Sequence, residues 1–97
     1  MAVIETMTFR LRPDADEAAF LDADRAVQTE FAYQQPGLLR RTTARGEGGT
    51  WVVIDLWGSA GDADAMGPRW NASATAASFL GFVDAASVEL RRYETLD

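Results

Sequence analysis

The sequence predicts an α+β domain of ferredoxin-like βαββαβ order, a four-stranded antiparallel sheet with helices on one face. Three observations predict it: four segments of strand-like character, two regions of helical period, and stop signals between them in that order. Two crossovers joined by a hairpin connect such elements most simply. A chain of 97 residues has room for one core, so a single domain is expected over residues 1–97.

Ala2 to Arg12 alternates, with Val3, Met7, Phe9 and Leu11 on one side and Ile4, Thr6, Thr8 and Arg10 on the other. Pro13 ends that strand, because proline lacks the ladder donor. Asp14 is placed to cap a helix, with Glu17 as its box partner. The helix is expected from about Ala15 to Tyr33, with Phe20, Ala23, Val27 and Phe31 as its apolar stripe and Pro36-Gly37 as its stop. Leu38 to Arg45 reads as the second strand, and Gly46-Glu47-Gly48-Gly49 as a turn of hairpin length. Trp51 to Trp57, aromatic and β-branched throughout, is the third strand. Ser59 caps a second helical region with Asp62 as partner, and Gly67-Pro68 is expected to kink or break it. A short helix from about Ser73 to Val83 and a last strand from Ala86 to Leu96 complete the order.

Composition narrows the function. The net charge is -6, from 9 basic residues, all arginine, against 15 acidic ones. That balance argues against nucleic acid, whose phosphates require a basic surface, and against anionic membrane. No apolar run approaches the ~20 residues that span a bilayer. Cysteine and histidine are both absent, which removes thiolates, the usual metal ligands and the commonest general base. No metal site is expected. Glu5 and Arg10 interrupt the first apolar stretch, so no signal peptide is read and a cytoplasmic protein is expected.

The third strand is apolar on both sides. Val52, Ile54 and Leu56 form one face; Trp51, Val53 and Trp57 form the other, interrupted by Asp55. Helices can cover only one face, and an exposed apolar patch marks an interface. A homodimer through the sheet face is therefore expected. Trp51, Val53 and Trp57 are taken as the dimer side, with Asp55 and Glu5 making that contact partly polar.

Glu5-Thr6 through Phe9-Arg10-Leu11, Gln35-Pro36-Gly37-Leu38-Leu39-Arg40-Arg41, and Ile54-Asp55-Leu56-Trp57 leading into Ser59-Ala60 carry a resemblance. Over essentially its whole length the chain resembles the dimeric α+β barrel superfamily, and within it the antibiotic-biosynthesis monooxygenase-like proteins. The resemblance implies a ligand cavity between each subunit's sheet and helices. It also implies a cofactor-independent monooxygenase acting on a phenolic or quinol-like small molecule, with no cofactor. The alternative is a non-catalytic small-molecule-binding or structural dimer domain. The haem-degrading branch has a tryptophan on the second helix, as Trp70 would be here, but it needs a histidine for iron. The cofactor-independent branch uses asparagine, tryptophan, arginine and tyrosine around its substrate, which makes Trp70 and Asn71 candidates. Adjacent helical residues point about 100° apart, so both facing one cavity would require the chain to turn near Gly67-Pro68.

Asp24 lies on the helical stripe among Phe20, Val27 and Phe31, facing the sheet. As a catalytic residue it would be a general base that removes a phenolic proton; as a structural one it would pair with a strand arginine. Gln28, one turn later, Tyr33 at the helix end, and Arg41 and Arg91 on outer strands form the expected ligand-binding set. Glu5 and Asp55, on neighbouring strands, are expected either to share a proton or, as the favoured reading, to join a cross-strand charge network at the dimer contact with Arg40, Arg41, Arg91 and Arg92.

Overall fold

The computed structural model describes residues 1–96; Asp97 lies outside the described residues. Four strands form one antiparallel sheet: β1 (Val3–Arg10), β2 (Leu38–Arg45), β3 (Thr50–Trp57) and β4 (Glu89–Glu94). Their order is β2-β3-β1-β4, which puts β1 and β3 at the centre as the βαββαβ order requires. Three helices pack against it: α1 (Glu17–Ala26), α2 (Ala60–Ala72) and α3 (Ala74–Leu80).

Phe9, Phe20, Trp51, Val53, Phe79 and Val83 form the main core between the sheet and α1 and α3. Phe20 is its centre, edge-to-face with Phe9 at 5.9 Å and with Trp51 at 5.0 Å between ring centroids. A smaller cluster of Val3, Trp57 and Ala63 closes the other end under α2.

Several local expectations change. Asp16, not Asp14, caps α1, its carboxylate accepting from the Ala18 backbone N–H. The helix does not run as one piece to Tyr33. It widens into a π-turn over Val27–Phe31 and tightens into a 3₁₀ turn over Ala32–Gln34. Gly37 then takes φ +83, and a side chain there would collide with Asp62, so glycine is needed twice over. Ser59 caps α2 as expected, but Gly67-Pro68 does not break it, and Pro68 sits inside the helix. The break falls at Ser73, whose hydroxyl accepts from the Ala76 N–H and starts α3.

The assignment of sheet faces is reversed. Trp51, Val53 and Trp57 are buried against the helices, as members of the two core clusters. Val52, Ile54 and Leu56 therefore occupy the outer face, with Ile54 37% exposed. Paired residues of an antiparallel sheet share a face, so Ile4, Thr6 and Tyr93 lie with them. Bulky aromatic rings fill the deep side because it alone offers helices to pack on. Glu5 and Asp55 accordingly belong to the helix side, not to a dimer contact.

Candidate functional site

Register aligns one row of charge across the helix side of the sheet. Arg41 of β2 stands opposite Asp55 of β3, Asp55 opposite Glu5 of β1, and Glu5 opposite Arg92 of β4. This row forms part of the wall of a cavity of about 520 Å³ between the sheet and α2 and α3, a size that suits a small organic ligand. Met7, Val53, Met66, Trp70 and Phe79 supply apolar wall, and Asn71 a neutral polar group. Leu90, Arg92 and Asp64 give the cavity an exposed edge.

Trp70 and Asn71 thus meet one cavity without a break at Gly67-Pro68. They lie in the last turn of α2, where the helix ends at Ser73. Trp70 is held by Phe31 and Phe79, edge-to-face at 5.5 and 6.0 Å between centroids.

Arg41 is 5% exposed and committed on every side. Its Nη2 donates to Asp24 Oδ1 at 2.7 Å, and its Nη1 to Gln28 Oε1 at 3.2 Å. The Thr43 hydroxyl donates to the same Asp24 oxygen at 2.9 Å. The Tyr33 hydroxyl accepts from the Arg41 backbone N–H at 3.0 Å and donates to its carbonyl at 3.2 Å. Asp24 therefore takes the ion-pair setting, not that of a free base, and neither it nor Gln28 or Tyr33 lines the cavity. They brace Arg41, which does line it. Arg91 borders the cavity, yet its register partner is outer-face Thr6, and its guanidinium pairs with Glu89 at 3.4 Å. Arg92 is the β4 arginine of the cavity side. It grips Glu5 at 2.9 Å and Asp64 at 2.7 Å.

Asp55 is the carboxylate left over. Its Oδ1 is buried with no hydrogen-bond partner. Burial pushes its pKa from 3.8 up to about 6, with Glu5 adding to the rise and Arg41 opposing it. A second recess of about 20 Å³, shared with Trp57 and Met66, also touches Asp55. Sequence reasoning named Glu5 and Asp55 but put them on the wrong side. Met66, Phe79 and Arg92 were not singled out as site residues. The signal for Arg92 was its parity with Leu90 along β4. Among the described residues, no group of three or more His, Cys, Asp or Glu side chains could hold a metal ion, and no helix is long and apolar enough to cross a membrane.

The architecture has close structural counterparts. SnoaB, a cofactor-independent oxygenase from Streptomyces nogalater, superposes with a TM-score of 0.77 at 18% identity, over 99% of this chain and 94% of that one. A protein from Caulobacter crescentus, provisionally named an antibiotic biosynthesis monooxygenase, gives 0.79 at 17% identity, over 99% and 91%. Rv0793 from Mycobacterium tuberculosis gives 0.73 at 19% identity, over 100% and 97%. The chain shares the fold of these proteins. No family model and no curated protein matches the chain in sequence. At these identities the likeness is one of fold, and a fold hosts whatever chemistry its cavity carries.

Proposed function

We propose that this protein is a homodimeric, cofactor-independent monooxygenase that oxidises a quinol or related phenol in the cavity between sheet and helices. The cavity itself carries the reading: Trp70 and Phe79 offer flat apolar surface, Asn71 offers a donor, and charged groups line one wall. The fold shared with a cofactor-independent oxygenase supports it.

The electron balance restricts the substrate. Without a cofactor, all the electrons that reduce dioxygen must come from the substrate. Loss of a proton makes the ring electron-rich enough to pass one electron to dioxygen; the two radicals then join through a new C–O bond. Breakage of the O–O bond releases water and leaves a carbonyl. A quinol plus dioxygen gives a hydroxyquinone plus water, which balances with no outside reductant. The product therefore stands at the quinone level, and a phenol that only gains a hydroxyl is excluded.

Dioxygen uptake by the purified protein with naphthohydroquinone, above the rate without protein, is the expected result. Saturable binding of that quinol with no uptake would replace the monooxygenase with a binding protein.

The outer face supports the dimer. Ile4, Val52, Ile54 and Leu56 form an apolar band, and Tyr93 beside them is 48% exposed. Ile54→Asp is expected to convert a dimer to a monomer in light scattering without loss of helix or strand content. A monomeric unmodified protein at micromolar concentration would rule the dimer out.

A further inference from the structure

We infer that Asp55 is the group that takes the hydroxyl proton from the substrate, with Glu5 acting through it as a positioning residue. This rests on the monooxygenase reading and deepens it. Two arginines, Arg41 and Arg92, face four carboxylates: Asp24 from α1, Asp55 from β3, Glu5 from β1 and Asp64 from α2. Arg92 is shared between Glu5 and Asp64, and the two Nη atoms of Arg41 are directed to Asp24 and Gln28. Asp55 stands between these two clusters, opposite Arg41 on one side and Glu5 on the other, with Oδ1 unpartnered.

The setting of a base follows. A general base must reach its proton and accept it near the working pH. Asp55 lines the cavity together with Trp70 and Asn71, so it meets the first condition. Desolvation and the neighbouring Glu5 raise its pKa to about 6, which meets the second. Asp24 fails the first, because its carboxylate is spent on Arg41 and Thr43 outside the cavity lining. In the step itself the substrate O–H bond breaks, its electron pair stays on the substrate oxygen, and the proton goes to the Asp55 carboxylate. Asp55 returns that proton when the O–O bond breaks and water leaves, so the residue is unchanged over one turnover.

Oxygen uptake with naphthohydroquinone, followed against pH, tests the assignment in the full chain. The unmodified protein is expected to gain activity as pH rises through about 6, where Asp55 loses its proton. Asp55→Asn is expected to lower kcat by at least about 100-fold with circular dichroism unchanged. 2-Chloronaphthohydroquinone, whose more acidic hydroxyl ionises more readily and whose unsubstituted ring carbon keeps the hydrogen that leaves as water, is expected to recover most of that loss. Glu5→Gln removes the like charge and is expected to move the rise to lower pH. An Asp55→Asn protein within about twofold of the unmodified one, or equally impaired with both probes, would overturn the assignment and leave the monooxygenase reading standing. Absence of uptake by the unmodified protein with either probe would overturn both.

Discussion

At pH 8, Asp55→Asn is expected to unfold at a higher temperature than the unmodified protein; below pH 4 the two are expected to coincide. Removing a charge stabilises here because the folded chain holds that charge badly. Asp55 binds its proton more tightly when folded, about 6 against 3.8 unfolded. Between those values the native state carries more protons than the unfolded one, so stability falls as pH rises. Below 3.8 both states are protonated and no penalty exists; above 6 the penalty is complete. The interval corresponds to about 3 kcal/mol at 1.36 kcal/mol per unit. In a domain of this size that is a rise of roughly 15 °C in Tm. Thermal melts at pH 4, 6 and 8 check it, and a difference that does not grow with pH would refute the desolvation of Asp55. The same substitution is expected to stabilise the fold and abolish turnover, the trade expected where function holds a charge in an unfavourable place.

Fold and site were not equally legible in the sequence. Alternation and turn residues sufficed for the strands: Leu38–Arg45 matches its expected bounds, and Thr50–Trp57 adds one residue. Caps were legible where one residue had no competitor, as at Ser59, and not where Asp14 and Asp16 both stood before Glu17. Period two also told which residues share a face: Trp51, Val53, Asp55 and Trp57 were grouped correctly. It could not tell which face the helices cover, because both faces of that strand are apolar. That single ambiguity moved Asp55 and Glu5 from the cavity to the expected dimer contact. Pro68 misled for a different reason. A proline costs a helix one hydrogen bond and some strain, and packing of Ala63 and Met66 beneath α2 offsets that penalty. The partner of Asp24 was legible as a type, a strand arginine, but not as Arg41 in particular. Only the register of β2 brings that side chain under α1.

Asp24→Ala is expected to destabilise the protein by about 3 kcal/mol, near the low end for removing one member of a buried ion pair. The side chains concerned are 4% and 10% exposed, so Arg41 cannot turn to water for a replacement. Asp55, directly opposite Arg41 across β2 and β3, is the replacement at hand. Its spare oxygen can take the freed guanidinium, which keeps the cost from the top of the range. A double-mutant cycle separates the terms. Asp24→Asn with Asp55→Asn strips Arg41 of both carboxylates, so the pair is expected to cost more than the two single changes summed. Denaturant unfolding of the four proteins measures that excess, and simple additivity would show that Asp55 never engages Arg41. Kinetics carry the other half of the argument. With Arg41 drawn toward Asp55, the carboxylate is more easily ionised, and the activity of Asp24→Asn is expected to rise at lower pH than before. A protein in which Asp24 were itself the base would instead lose turnover at every pH, with no shift in profile. One substitution on α1 thus distinguishes a brace from a base through the side chain that joins them.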